Sequence, residues 1–468
     1  MRARLVRFAN ELGESYWFVP TVMAIAALLL AGAMVWLDSH HMATWMDRLP
    51  WLYAARPSGA RSLLSSIGGS MIGVAGTTFS VTIAAVVYAS GQYGPRLLSN
   101  FMSDRGNQVT LGTFIATFLY SLVVLRTIRS PDDAAGEAAF VPQLAVLVGL
   151  LLVLCSIAVL IYFIHHVPSR IHINSVIERI GNRLLREIEH RFPDSIGHPS
   201  RQAKERPGIP AAFTSAATPT MLHQRKCIPA SETGYVQLID ADALLEITSE
   251  RDLIIRLQYQ PGDFVHRGST LIEAWPAERV DDDTIEALRD TFAAGSRRTA
   301  LQDLRFLIDE LVEIAARALS PGVNDPFTAN SCLDWLGAAL ADLGGRDLPE
   351  RLRVDNGGKP RVITHPVTFA GFVDRAFGAL AQYASADMIA GQRFLAVVGD
   401  VALGCDAPDR LEKLASLTRQ FRDLADEALT GVNHDVVLRH ADEMLHALAA
   451  SDHKRLLRDR QACLGETA

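Results

Sequence analysis

The chain has 468 residues, enough for two or three domains, of which 49% are hydrophobic and 21% charged. Its formal net charge of -7 argues against a global basic field, so no nucleic-acid partner is expected. The five cysteines, Cys155, Cys227, Cys332, Cys405 and Cys463, are scattered and never form a CxxC pair, which argues against a disulfide framework or a zinc site and suits a reducing compartment.

Four apolar runs precede residue 165, at about 17–37, 63–89, 109–125 and 141–164. None contains Asp, Glu, Lys or Arg. A helix needs about 20 such residues to cross the hydrocarbon of a bilayer, so the expectation is four transmembrane helices with the lipid bilayer as partner. "AGA" at 31–33 resembles a signal-peptide cleavage site, but Glu11 and Glu14 spoil the segment before it, which favours a retained anchor. Arg2, Arg4, Arg7, Arg96, Arg105, Arg170, Arg179 and Arg183 lie on one set of loops. Arg48, Arg56, Arg61, Arg126 and Arg129 lie on the other. The positive-inside rule then places both termini in the cytoplasm.

The second run, "SSIGGSMIGVAGTTFSVTIAAVVYAS", is crowded with small side chains. Steps of three and four residues share a helix face, and Ser65, Gly69, Gly73, Gly76, Ser80 and Ala84 fall on one. Two uses suit such a face. It packs closely against another helix, within one subunit or between subunits of a homo-oligomer. Alternatively it lines a watered path, wetted by Thr77, Thr78, Ser80 and Thr82 without a buried charge. The two coincide if small faces surround a central pore. The absence of ionisable groups in all four runs disfavours active transport and leaves a passive channel or an anchor.

Three stretches carry a family resemblance. They are "SGQYGPRLLSNFMSDRGNQVTLGTFIATFLYSLVVL" at 90–125, "RALSPGVNDPFTANSCLDWL" at 317–336, and "GYVQLIDADALL" followed by "PGDFVHRGSTL". Together they resemble the bacterial predicted membrane proteins of domain-of-unknown-function family 2254. The resemblance implies an integral protein of the inner (cytoplasmic) membrane with a cytoplasmic C-terminal region. It supplies no activity and no catalytic residues. Physically, Gly94-Pro95 breaks the second helix, and Asp104-Arg105-Gly106-Asn107 reads as a turn. Arg96 and Arg105 are candidate contacts for lipid phosphates, though such residues more often only set topology.

After the fourth run, Pro168 is expected to kink the exit. Ile173, Val176, Ile177, Ile180, Leu184, Leu185 and Ile188 then recur at helical spacing. This amphipathic helix suits a membrane surface or a bundle between subunits. His165, His166 and His172 lack a metal-ligand spacing, and no metal is expected. The domain plan is a transmembrane domain (1–168), a connecting helix (169–192), a linker (193–224), a small β module (225–278) and a helical domain (279–468).

In the β module, "GYVQLID" and "LIIRLQY" read as strands around a helix "ADALLEITSE", and "PGDFVHRGSTLIEAW" as a turn and a strand. The arrangement resembles half of a barrel-sandwich module of the biotinyl or lipoyl kind. Lys226 stands outside the hairpin tip that would carry a cofactor, so none is expected. The fold class is thus four transmembrane helices followed by an α+β region, a β-barrel-like module with a helical bundle.

In the helical part, "TALQDLRFLIDELVEIAARAL" places Leu301, Leu304, Leu307, Ile308, Leu311, Ile314 and Ala315 on one stripe. Ser320-Pro321-Gly322 stops it, and Asp325 caps the next helix with Pro326 at its first position. Arg317, Asn324, Asp325 and Thr328 form a candidate ligand loop, although capping explains the motif without a ligand. Further helices are expected at 368–402, 407–429 and 433–459. No phosphate loop, dinucleotide fingerprint, nucleophile elbow or HExxH is present, and Cys332 with His365 is not read as a catalytic pair. The leading expectation is an oligomeric passive channel gated by its cytoplasmic part, without enzymatic activity. The alternative is a membrane-anchored sensor or scaffold binding a small molecule or partner protein.

Overall fold

A computed structural model describes residues 15–40, 56–94, 104–130, 140–191, 198–199, 209–214 and 223–465, with isolated positions 13, 218 and 221. The chain forms two compact units, one within residues 10–175 and one within 176–468.

Among the described residues, the N-terminal unit holds four long helices: α1 (Phe18–Ser39), α2 (Pro57–Tyr93), α3 (Arg105–Thr127) and α4 (Gln143–Ile171). Each is long and apolar enough to cross a membrane. Their outward residues say the same: Leu29 on α1, Val87 on α2 and Leu154 and Ile161 on α4 are all exposed, which hydrocarbon tolerates and water does not. Helix α3 is the hub, packed against α1, α2 and α4. Its Phe114, Tyr120 and Val124 are fully buried. The hydroxyls of Thr117 on α3 and Ser156 on α4 meet at 3.0 Å across the two helices. The Asp38 carboxylate at the end of α1 accepts from the amides of Leu144 (3.2 Å) and Ala145 (3.0 Å), so one span caps another.

The ends of these helices refine the sequence reading. Helix α2 stops at Gly94, whose φ of 119° only glycine adopts readily. The Asp104–Asn107 stretch is not a turn. Asp104 caps α3 by accepting from the amides of Gly106 and Asn107, and helix begins at Arg105. The backbone of α4 continues as helix through Pro168 to Ile171. His166 contacts the Asp104 carboxylate through Nε2 (3.0 Å) and Tyr162 through Nδ1 (2.8 Å), tying the start of α3 to the end of α4.

The C-terminal unit begins with α5 (Ile173–Arg191). Its apolar stripe, Val176, Ile177, Ile180, Leu184 and Ile188, is buried. That stripe belongs to the interior of this unit, not to a membrane surface or a bundle between subunits. Gly181 shows why: a Cβ there would overlap the ring of Trp335, so the helix can lie against α9 only with a glycine at the contact.

Among the described residues, nine strands follow: β1 (His198–Pro199), β2 (Lys226–Pro229), β3 (Gly234–Ile239), β4 (Ile254–Leu257), β5 (Phe264–Val265), β6 (Thr270–Trp275), β7 (Phe292–Gly295), β8 (Leu352–Val354) and β9 (Pro360–Ile363). Helix α6 (Ala241–Glu250) lies between β3 and β4, and α7 (Asp282–Asp290) between β6 and β7. The strands pair as two open sheets, not as a closed barrel: β1-β8-β9-β4-β6-β2 and β5-β3-β7. The barrel-like expectation is not met among the described residues: β9 lies beside β4, and β1 and β2 are the two edges of the larger sheet. That junction is parallel, Ile255 with Val362, and all other pairings are antiparallel. One core joins both sheets with α6 and α7, through Ile228, Val236, Leu244, Ile255, Ile272 and Leu288. On the other face, Phe213 is flanked by the guanidinium groups of Arg225 and Arg256, both of which pair with Glu273.

The remaining helices are α8 (Leu304–Ala318), α9 (Pro326–Gly345), α10 (Phe369–Val373), α11 (Ala379–Ala384), α12 (Met388–Leu403), α13 (Pro408–Ala428), α14 (Gly431–Ala449) and α15 (His453–Gly465). A π-helical turn at Asp374–Gly378 joins α10 to α11. Phe394 of α12 stacks on Phe421 of α13, centroids 4.5 Å apart, in the middle of this bundle.

Candidate functional site

The C-terminal unit contains a cavity of about 390 Å³, within the range of small-molecule sites. Its floor is the segment Leu301–Arg305, and three elements pin that segment. Arg191 of α5 donates to the carbonyls of Ala300 (3.0 Å) and Leu301 (2.6 Å), while its Nε donates to Glu187 (2.7 Å). Gln302 makes a two-way bridge to Ile239 of β3, accepting from its amide (2.7 Å) and donating to its carbonyl (3.0 Å). Arg305 donates to the carbonyl of Pro261 (2.6 Å) and to Asp263 (2.9 Å).

Beside the floor runs a chain of ion pairs. Asp303, 3% exposed, receives Arg298 and Arg305. Arg298 also reaches Asp309 of α8 (2.5 Å), which Arg375 of the π turn holds from the other side (2.5 Å). Burial alone would raise the Asp309 pKa, but hydrogen bonds from Arg375 and Arg298 outweigh it and hold the carboxyl below its ordinary range. Gly262 makes room for the arrangement. Its φ is +93°, and a Cβ there would overlap the Asp303 carboxylate.

The opposite wall comes from β8, β9 and the segment after them. Arg353 of β8 is 1% exposed and lines the cavity. Burial pushes its pKa below the ordinary arginine value, and Glu350 restores only part. His365 stands at the exposed rim, with Nη2 of Arg351 3.3 Å from its Nδ1. Burial, then the charges of Arg351 and Arg256, lower its pKa from the usual histidine value. Leu257, Tyr259, Leu304, Val367 and Phe372 supply apolar surface. The cavity therefore combines hydrocarbon walls with polar and charged groups, an arrangement suited to holding an organic molecule.

The residues singled out from sequence lie elsewhere. Ser65, Gly69, Gly73, Gly76, Ser80 and Ala84 share one face of α2, and every one is exposed. The opposite face, Leu64, Ile67, Met71, Ala75, Thr82 and Val86, packs inward. A Cβ added at Gly69, Gly73 or Gly76 meets nothing within 4 Å. The hydroxyls of Thr77 and Ser80 donate to the carbonyls of Gly73 (3.1 Å) and Gly76 (2.9 Å) of their own helix. Arg105 is exposed at the first position of α3, and Arg96 lies outside the described residues. In the "SPGVNDPFTA" loop, Asp325 caps α9 by accepting from the amide (3.1 Å) and hydroxyl (2.6 Å) of Thr328. Asn324 adopts a positive φ of 49°, and Arg317 faces Glu313 at 3.5 Å. None of these four lines the cavity. Cys332 is fully buried in α9, and its burial pushes the thiol pKa up.

Sequence reasoning missed Arg353. The signal was present: Asp355-Asn356-Gly357-Gly358 is turn chemistry between two short alternating runs, a hairpin pattern.

Four apolar helices, each long enough to cross a membrane, followed by an α+β unit with a half-open cavity define a multi-span membrane protein. Residues 13–400 match the model of a family described as predicted membrane proteins, domain-of-unknown-function family 2254, and the chain belongs to that family. It is similar to uncharacterized proteins of Mycobacterium bovis and of two strains of Mycobacterium tuberculosis, each 31% identical over 433 residues, or 90% of this chain and 79% of the relative. No solved structure matches the chain.

Proposed function

We propose that this protein is a membrane-anchored receptor whose C-terminal unit, in the cytoplasm, takes up a small molecule. The half-open cavity of about 390 Å³ between the Leu301–Arg305 floor and the β8–β9 wall carries the reading. Its lining suits binding and holds no nucleophile–base pair of the kind that would favour catalysis. The test is thermal unfolding of the full chain in nanodiscs against a small-molecule library, with Val367→Trp as a variant that fills the cavity. Compounds that raise Tm in the wild type and not in the variant support the proposal. A library without a single stabiliser counts against it.

A second reading concerns the spans. In it the protein is a homo-oligomer of the bacterial inner membrane, with both termini cytoplasmic, assembled through the outward small face of α2 around a passive path that the cytoplasmic part gates. What favours it is that all six small residues turn away from their own bundle, leaving backbone open to close approach. Because Thr77 and Ser80 already donate within α2, the face needs no water, and packing explains it better than a wetted lining. Disulfide crosslinking of Gly73→Cys, with Met71→Cys as the buried control, reports the assembly. Planar-bilayer recordings of wild type, Gly73→Leu and Ser80→Leu report conductance. A monomeric, silent protein is the result that removes this second reading.

A further inference from the structure

Among the described residues, each guanidinium and carboxylate that lines the cavity has an opposite charge at hand. Arg191 pairs with Glu187, and Arg305 with Asp303. Arg353 lies in the field of Glu350. Arg256, whose charge reaches His365, is held by Glu273 at 2.5 Å, and Arg351 is exposed to water that screens it. A ligand carrying a full charge would give up its water here and find its natural partners engaged. An uncharged ligand escapes that cost, and Leu257, Leu304, Val367 and Phe372 offer it a hydrocarbon wall.

A hydrogen bond specifies the polar end. Arginine only donates, so Nδ1 of His365, 3.3 Å from Nη2 of Arg351, is the acceptor and carries no proton. Burial, then the charges of Arg351 and Arg256, favour the neutral ring. The proton of that ring sits on Nε2, which makes His365 a hydrogen-bond donor at the cavity rim. Two other polar groups of the lining are already engaged. The Thr364 hydroxyl donates to the carbonyl of Arg351 (3.2 Å), and Gln302 is tied to both backbone groups of Ile239.

We infer that the cavity binds an uncharged molecule with a hydrogen-bond acceptor, in its simplest form a carbonyl compound, the acceptor at Nε2 of His365 and the apolar body along Leu257, Leu304 and Phe372. This rests on the reading of the C-terminal unit as ligand-binding, and it specifies the ligand class that the reading leaves open. The matched charges of the lining exclude ions, and the fixed tautomer of His365 selects an acceptor.

The experiment is isothermal titration calorimetry on the full chain in nanodiscs of zwitterionic lipid at neutral pH. The probes are 2-hexanone, 1-chlorohexane, hexanoate and hexylamine, which share one length and differ at the head. The cavity-filled Val367→Trp measures the heat of partition into lipid, to be subtracted. 2-Hexanone should bind about threefold to tenfold tighter than 1-chlorohexane, the equivalent of one net hydrogen bond, and about tenfold or more tighter than either ion. His365→Leu should bring the ketone down to the level of 1-chlorohexane and leave 1-chlorohexane unchanged. His365→Gln, which keeps an N–H donor, should restore the preference. His365 is exposed, so Tm in both variants should match the wild type. Hexanoate or hexylamine binding as tightly as the ketone overturns the inference while the cavity stands as a ligand site. A ketone affinity that is unchanged in His365→Leu overturns the assigned acceptor contact. If no probe gives heat beyond that of Val367→Trp, the inference falls, and the library screen decides the ligand-binding reading separately.

Discussion

Replacing Asp309 by Asn removes the charge that joins Arg298 to Arg375 while keeping the side chain's volume. Asp309 is 13% exposed and receives both guanidinium groups. Breaking a buried ion pair from one side costs about 3–5 kcal/mol. Two features reduce that here: Arg298 keeps Asp303, and Arg375, 35% exposed, can turn towards water. The expected loss is about 2–3 kcal/mol. At roughly 2–4 °C per kcal/mol for a domain of this size, that is about 4–12 °C in Tm. Thermal unfolding followed by tryptophan fluorescence reads it, with Trp275 and Trp335 reporting from the C-terminal unit. The sign of the pH dependence is fixed by the depressed carboxyl. Its contribution is present above the unfolded carboxyl value of about 3.9 and is lost as pH falls through the lower folded value. The gap between wild type and Asp309→Asn should therefore close on acidification below about pH 4. Shifts under about 1 °C at neutral pH, in both Asp309→Asn and Asp309→Ala, would refute the claim that this network holds α8 to the π turn.

Three other substitutions probe separate joints. Gly181→Val should cost about 1–3 kcal/mol by overpacking against Trp335, read as a lower Tm of the C-terminal unit. Asp325→Ala removes the α9 cap and should cost about 1 kcal/mol, most of it recovered by Asp325→Ser, in the same assay. Asp38→Ala leaves two α4 amides without their carboxylate and should cost about 1–2 kcal/mol, measured as earlier loss of helicity of the N-terminal unit in a denaturing-detergent titration.

Some of this molecule could be read from the chain and some could not, for physical reasons. The four spans announced themselves because a bilayer imposes one length and one polarity on every crossing. The Asp325 cap was legible because its partner, Thr328, lies three residues away. Strands β3, β4 and β6 and helix α6 followed from local alternation and period, whereas β5 lies in the stretch read as a turn. Strands β8 and β9 did not, because their buried charges read as solvent-facing ones. Arg361 is 4% exposed, and one of its two carboxylates, Asp252, comes from the connection just ahead of β4, far away in sequence. The stripe of α5 was visible but its partner was not; periodicity tells that a face is covered and not by what. The small face of α2 was likewise visible, and only the structure showed that it turns away from its own bundle.

The parallel seam between β4 and β9 has a consequence for how the polypeptide is made. While a ribosome is still extending the chain towards Ile363, β4 has one raw edge and the larger sheet lacks its far half. Helices α8 and α9 emerge first and have to wait beside an unfinished neighbour, so this region matures late and all together. A nick, a fusion point or a stop codon placed between Ile255 and Val362 would not yield a smaller working piece. Any scheme for cutting the protein into parts has to keep that interval whole.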